Sequence, residues 1–381
     1  MKKSILFIMP YLPGGGAEKV LIEVLRNFDY SRYDVSLFLE FRDGVYVDSI
    51  PENVSVHSMW GRLAMRHERL FRLLRMFRLY GLFHLLFCRR AISSVVRGKS
   101  FDAIVSFMEG NALKYHSYVA GNAKKNVSWV HIDLKKKHWS LDFFKDAEEE
   151  KKAYHLMDEI VFVSDDARKS FLEMYADVDR DKCKVIRNLI DGKEIMRQMQ
   201  SACVTLHKRG FTICMAGRLN RQKRYDRAIL AAQMLKNDGY DFELWILGTG
   251  ELLDGLVRAV HECRLDENVI FMGFRRPPYP YMKAADVYLN TSEAEGYPLV
   301  VCEALALGIP VVATSVTGTK EILGDSEYGL LVKEDVEDIY NGLKRMADDA
   351  GLREEYHLRS LRRAEMFDVE VTMNQIYEVL G

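Results

Sequence analysis

The chain has 381 residues, 48% hydrophobic and 29% charged, with a formal net charge of −1. That length exceeds one comfortable core and implies two domains, while near-neutrality gives no global field for nucleic acid. Six scattered cysteines without a CxxC pair exclude a disulfide framework or a cysteine zinc site and imply a reducing compartment.

The amino terminus, MKKSILFIM, starts like a secretory signal, but its apolar run is short and ends in Pro and Gly. It reads as a first strand, and no run reaches the ~18 apolar residues of a membrane-spanning helix. The expectation is a cytoplasmic protein that does not cross a membrane. Apolar strand-like runs follow at 4–9, 34–41, 102–108, 126–132 and 159–164, alternating with helical patterns. A second series occupies 211–217, 243–248, 269–273, 287–290 and 309–314. Strand–helix alternation implies parallel sheets covered by helices. The expected α/β architecture is two Rossmann-like domains, 1–187 and 210–362, facing across a cleft. Residues 188–209 would link them, and a helix in 363–381 would cross back to the first. Open α/β sheets bind ligands at the carboxyl ends of their strands, which places the expected site in that cleft.

Several segments at strand ends carry chemistry. GGGAEKV (14–20) opens a helix after the first strand, where glycines let backbone amides approach an anion. It is neither GxGxxG nor a P-loop, and a tight turn without a ligand is the alternative. AGRLNRQKRYDRAI (216–229) repeats the geometry with cations, and Arg218 and Lys223 suit a diphosphate at a helix start. A solvated basic loop is the other reading. ILGTGE (246–251) ends a strand with two close glycines, and NVIFMGF (268–274) ends the next, with backbone around Met272 able to meet a flat base. In NTSEAEGYPLVVCEALALGIPVVATSVTGTKE (290–321) a helix of roughly 299–307 carries a lone carboxylate, Glu303, among Val, Cys, Ala and Leu. An unpaired carboxylate in such a place is costly. Either a basic residue neutralises it, or it grips a ligand.

Together these segments resemble the retaining glycosyltransferases of family four, whose Glu-x7-Glu signature is matched by Glu295 and Glu303. The supporting pattern runs in family order through GGGAEKV, SWVHID, VFVSDDARKSF, KVIRNLID, AGRLNRQK, ILGTGE, VIFMGF and EGYPLVVCEALALGIPVVAT. The resemblance implies a GT-B fold, a nucleotide-sugar donor bound mainly on the second domain, and neither metal nor cofactor. Carried onto this sequence, it implies that Glu303 accepts the ribose hydroxyls and Glu295 the hydroxyls of the donor sugar. Amides at Gly296, Tyr297 and Leu299 would lie near the sugar and phosphates. Arg218 and Lys223 would neutralise the diphosphate leaving group, with Gly248 and Met272 also lining the donor. Gly15 and Gly16 would approach the donor phosphate from the first domain. His131 matches the family's active-site histidine, although by itself it would read as a core histidine. Asp133 would orient it or contact the acceptor. Arg224 stands where the family usually has Gly, and Leu189 where it usually has Asn-Gly before Ile-Asp.

Residues 61–90 contain eight arginines, one acid and many large apolar residues. Either this is a core helix with solvated arginines, or a basic, greasy surface that meets anionic lipid. The implied function is a retaining, metal-independent glycosyltransferase of the hexosyltransferase type. It would move a sugar from a nucleotide diphosphate to a glycan, expected to be lipid-linked, in surface polysaccharide assembly. Peripheral attachment to the inner face of the cell membrane would suit that role. A nucleotide-sugar epimerase of the same architecture and a non-catalytic donor-binding subunit are the rival readings.

Overall fold

The computed structural model describes residues 2–61, 87–202 and 204–381. The arginine-rich stretch 61–90 falls largely on 62–86, outside the described residues; Arg89 and Arg90, which open the helix Arg89–Val96, are exposed. The chain divides into two compact units, one of residues up to Leu189 plus Val369–Gly381, the other Ile190–Asp368. Among the described residues no helix is long and apolar enough to cross a membrane.

The first unit is built on a seven-stranded parallel sheet in the order β3-β2-β1-β4-β5-β6-β7. Its strands are β1 Lys3–Met9, β2 Tyr33–Phe41, β3 Val54–Trp60, β4 Phe101–Ser106, β5 Ala123–Val130, β6 Glu159–Phe162 and β7 Cys183–Val185. The central strands are continuous apolar runs because helices cover both faces: Ile5 through Met9 are all buried. On one side Leu6, Ile8, Phe38 and Ile104 pack with Ile92 and Tyr115. Elsewhere Val130, Ile160 and Phe162 pack with Tyr154 and Phe171.

The second unit is a six-stranded parallel sheet, β10-β9-β8-β11-β12-β13. The strands are β8 Phe211–Ala216, β9 Phe242–Leu247, β10 Val269–Gly273, β11 Val287–Asn290, β12 Val311–Thr314 and β13 Leu330–Val332. Counted from β8, that order is 3-2-1-4-5-6, the arrangement of a dinucleotide-binding sheet. The order in which strands are added reverses between β8 and β11, the place where open α/β sheets bind ligands. In the first unit the corresponding reversal lies between β1 and β4.

Residues 188–209 are more than a connector. Asp191 caps the helix Gly192–Ser201 by accepting the Glu194 N–H at 2.9 Å. That helix packs on the helices Tyr279–Ala284 and Leu299–Ala306 and belongs to the second unit. At the other end the helix Val369–Leu380 joins the first unit through Tyr377. The Tyr377 ring stacks on Tyr33 with centroids 5.2 Å apart and planes 8° off parallel. Its hydroxyl accepts the Asp29 N–H at 2.8 Å and donates to the Asn27 carbonyl at 3.3 Å.

Tyr377→Ala should therefore destabilise the first unit by about 2–3 kcal/mol, and Tyr377→Phe by about 1 kcal/mol through the hydroxyl alone. Urea unfolding followed by a probe in each unit checks this, and the second unit's midpoint should stay put.

Candidate functional site

In the second unit, two loops at the β8–β11 reversal are joined into one structure. Lys223 ends the short turn Arg221–Lys223 after β8, and Asn220 caps that turn by accepting the Lys223 N–H at 3.2 Å. Glu295 lies on the loop after β11, and Lys223 Nζ donates to its Oε1 at 2.5 Å. Their side chains are only 20% and 9% exposed, so each charge is largely removed from water and compensated by the other. Four further hydrogen bonds join the loops. Thr291 Oγ1 donates to the carbonyls of Lys223 at 2.9 Å and Arg224 at 3.0 Å. The Glu293 N–H donates to the Gln222 carbonyl at 3.0 Å, and Gln222 Nε2 donates to the Ala294 carbonyl at 2.6 Å. Below them Thr314 Oγ1 donates to the Ser292 carbonyl at 2.6 Å.

Arg224 shows how this loop path is reached without glycine. It adopts the left-handed conformation, φ 50 and ψ 45, as the residue preceding the helix Tyr225–Asn237. A side chain there costs about 1–2 kcal/mol. The guanidinium offsets this by meeting Asp226 at 2.8 Å and Glu293 at 3.4 Å, the latter a further tie to the β11 loop. The substitution of Arg for Gly thus keeps the turn and adds a clamp.

The other second-unit residues fall around the same strand ends. Glu303 is 3% exposed on the helix Leu299–Ala306, which begins after Pro298. Gly296, Tyr297 and Leu299 are buried on the approach to that helix. Leu299 opens it, so its amide belongs to the first turn, where N–H groups have no intrahelical acceptor. Arg218 is 61% exposed, with Nε 3.7 Å from Glu251. Gly248 has a packing reason of its own: a Cβ would come within 1.9 Å of the Gly217 carbonyl oxygen, where the β8 and β9 loops cross. At Met272 the β10–β9 register slips between Phe271 and Gly273. This bulge lifts one backbone unit off the ladder at the sheet edge, which suits a backbone expected to meet a planar base.

The first-unit residues form a separate set. Gly15 precedes the helix Gly16–Arg26, and a Cβ there would be 2.2 Å from Glu18 Oε2. The carboxylate of Glu18 therefore lies against the helix start that the sequence reading left open for a phosphate. His131 follows β5. Its Nε2 lies 3.1 Å from the Phe107 carbonyl and so carries the proton, leaving Nδ1 as the acceptor position. Burial pushes the imidazole down from its ordinary 6.5 to about 4, partly opposed by the Phe107 bond. It is neutral at physiological pH. The His131 N–H donates to Glu109 Oε2 at 2.9 Å, and Trp139 Nε1 donates to Glu109 Oε1 at 3.1 Å. Glu109 is 2% exposed, and burial raises its carboxyl to about 6. Sequence reading passed over Glu109; an acid directly after an apolar strand, at the sheet's reversal, was the available signal. Asp133 is 3% exposed and turned inward. Its Oδ1 accepts the N–H of Lys135 at 3.0 Å and of Lys136 at 3.3 Å, and Oδ2 accepts Ser170 Oγ at 3.0 Å. Those bonds make it the keystone of its loop and leave it no bond to His131 among those the structure shows.

Two predictions follow from this geometry. Arg224→Gly should leave the second unit equally stable or up to about 1 kcal/mol more stable, whereas Arg224→Ala should cost about 1 kcal/mol by keeping the strain and losing the pairs. Urea melts of the two variants decide the sign. For His131, the depressed pKa means that stability is full above 6.5 and falls as pH drops toward about 4, because the unfolded chain then binds the extra proton. Its ring resonances should accordingly not titrate between about pH 8 and about pH 5.5, as followed by histidine NMR.

Residues 199–360 match the family model of glycosyl transferases group 1. Over 203 residues the chain is 36% identical to the Campylobacter jejuni N-acetylgalactosamine-N,N'-diacetylbacillosaminyl-diphospho-undecaprenol 4-alpha-N-acetylgalactosaminyltransferase, covering 52% of this chain and 54% of the relative. Over 186 residues it is 27% identical to the Escherichia coli UDP-Gal:alpha-D-GlcNAc-diphosphoundecaprenol alpha-1,3-galactosyltransferase, covering 46% and 48%. The chain thus spans about half the length of these curated relatives. Among solved structures, Anabaena HepE in complex with UDP superposes with a TM-score of 0.75 at 21% identity, over 100% of this chain and 99% of that one. The likeness at that identity speaks for the fold. Residues 199–360 are thus similar to the glycosyl transferases group 1, and the fold is GT-B.

Proposed function

We propose that the protein is a retaining glycosyltransferase that moves a sugar from a nucleoside diphosphate sugar to a lipid-linked saccharide acceptor in polysaccharide assembly. The observation that carries this reading is the Lys223–Glu295 pair at the reversal of a 3-2-1-4-5-6 sheet. A largely buried cation at such a crevice is a ready partner for a diphosphate. The two relatives support the acceptor class, since both printed names contain a diphosphate-linked undecaprenol.

In this reading the diphosphate meets Lys223 and Arg218, with the first-turn amides of the helix Leu299–Ala306 adding partial positive charge. Glu303 accepts the ribose hydroxyls. Glu295 keeps one oxygen on Lys223 and offers the other to hydroxyls of the transferred sugar. As the glycosidic bond breaks, charge grows on the leaving phosphate, and Lys223 stabilises it more in the transition state than in the ground state. The acceptor hydroxyl attacks on the face that the diphosphate leaves, and a phosphate oxygen takes its proton, so configuration is retained without a covalent enzyme intermediate. His131, neutral and held through Nε2, offers Nδ1 to a sugar hydroxyl. Gly15, Gly16, Gly248 and Met272 line the donor, and Asp133 shapes the acceptor side. No metal or cofactor takes part. Attachment to an anionic inner membrane surface through residues 61–90 completes the proposal.

Incubation with a panel of nucleoside diphosphate sugars and a polyprenyl-diphosphate-linked saccharide tests it. The expected product is a lengthened acceptor whose new anomeric centre, read by NMR, keeps the donor's configuration, with yield unaffected by EDTA. Epimerised free donor, or donor binding without turnover, would favour the rival readings. Glu303→Ala should raise the donor KM about ten- to a hundred-fold, through lost hydrogen bonds to a charged group, without loss of fold. Steady-state kinetics beside circular dichroism checks it, and an unchanged donor KM removes Glu303 from the ribose.

A further inference from the structure

Glu109 is a buried carboxylate whose bonds, among the described residues, are to two neutral N–H groups. A charge held away from water without a cation is a costly way to satisfy such groups. Carboxyls perturbed in this way concentrate at sites of function.

The ends of the strand ladders explain why a side chain is needed here. β5 pairs with β4 as far as Ser128 opposite Ser106, and with β6 as far as Val130 opposite Phe162. His131 lies one residue beyond, and its N–H needs another acceptor. Glu109 Oε2 takes it at 2.9 Å. Phe107, two residues earlier on the same segment, accepts His131 Nε2 on its carbonyl at 3.1 Å and places its ring 5.2 Å from the imidazole. The Phe107 N–H in turn donates to the Ile8 carbonyl at 3.0 Å, which fastens the segment to β1. The exit of β4 thus grips His131 by both backbone and ring.

The second oxygen reaches a different segment. Glu109 Oε1 accepts Trp139 Nε1 at 3.1 Å. Gly110, the next residue, makes room for that ring: its φ is 72, and a Cβ there would lie 3.2 Å from carbon atoms of Trp139 and Phe143. Both groups on Glu109 are donors, so only a side chain with two acceptors serves them together. A glutamine offers one oxygen and turns its NH2 on the other donor.

We propose that Glu109 is a positioning residue for sugar transfer: one carboxylate oxygen holds the His131 backbone and the other the Trp139 indole, and together they set where the imidazole stands. The role rests on the transfer proposed above, in which His131 Nδ1 meets a sugar hydroxyl. It needs the carboxylate ionised, because a proton turns one acceptor into a donor and frees one of the N–H groups. The groups facing Glu109 are His131, Trp139, and Glu150 and Tyr154 from the helix Ala147–His155, with His138 and Tyr175 bonded to Glu150 behind them. Burial, aided by the Glu150 charge, pushes the Glu109 carboxyl up to about 6 against the bonds that lower it. The tether is therefore complete above that pH and is lost as pH falls through it.

NMR of the indole N–H groups in the full chain, labelled with 15N-tryptophan, tests the tether without any activity, Trp139 being assigned through Trp139→Phe. Its resonance should shift with a midpoint near pH 6 in the native chain, and the step should vanish in Glu109→Gln. A Trp139 resonance that does not move through that midpoint, or a step that survives Glu109→Gln, overturns the tether. The native titration decides this even if Glu109→Gln fails to fold. In kinetics, Glu109→Gln should lower kcat about ten- to a hundred-fold, the range expected of a displaced group, and leave the donor KM unchanged. Trp139→Phe removes the competing donor, so the double variant can turn its amide oxygen to the His131 N–H. Its kcat should recover to within about threefold of Trp139→Phe alone. A double variant as slow as Glu109→Gln, or a kcat that Glu109→Gln leaves unchanged, contradicts the positioning role. A chain that transfers no sugar from any donor refutes the function itself, and the indole step, which needs no turnover, tells that failure from a failed tether.

Discussion

A single contact, Lys223 Nζ on Glu295 Oε1, organises the second unit's ligand end. The residues are 72 positions apart, and neither charge would be tolerated in so dry a place alone. Their pairing fixes the separation of the β8 and β11 loops at the point where the order of strand addition reverses. The hydroxyl of Thr291, the amide of Gln222 and the guanidinium of Arg224 then hold that separation from three further directions. Such redundancy leaves Lys223 little freedom, which is what electrostatic stabilisation of a developing charge requires.

The first unit solves a related problem with different chemistry. Its reversal between β1 and β4 is bordered by acids: Glu18 against Gly15, and Glu109 beneath His131. Glu109 and Glu150 are buried and spend their oxygens on donors from residues 131–140 and from Tyr175. The loop after β5 is thus held by buried carboxylates and carries Lys135, Lys136 and Lys137 outside. Position of charge, more than its total, distinguishes the two units.

Central strands were legible because burial on both faces turns them into unbroken apolar runs, as in Ile5–Met9 and Val311–Thr314. The strands that escaped sequence reading, β3, β7 and β13, all lie at or next to sheet edges. β3, VSVHSMW, is half-exposed and mixed in polarity, while β7 and β13 have three residues each, too few for any periodicity. Glu303 could be picked out because a charge among apolar residues is conspicuous, Lys223 because it lies in a basic run at a strand's end, and Glu295 because of its spacing from Glu303. The loop ties around them could not, since Thr291 and Gln222 bond to backbone carbonyls whose positions only the fold defines. Gly248 was conspicuous for another reason: it allows two loops to cross, a demand that a sequence motif does not separate from ligand approach. Residues 188–209 read as a linker because they are polar, yet the helix Gly192–Ser201 inside them buries Ile195 against the second unit.

The central claim is that Lys223, held by Glu295, is a diphosphate ligand. Isothermal titration of the chain with nucleoside diphosphates and the matching monophosphates tests it most directly. The account predicts that a diphosphate binds at least about tenfold more tightly than its monophosphate, and that Lys223→Met removes this difference, one charge-assisted contact being worth ~1.5–3 kcal/mol. Equal affinity for both nucleotides in the native chain, or a preference that survives Lys223→Met, would contradict it.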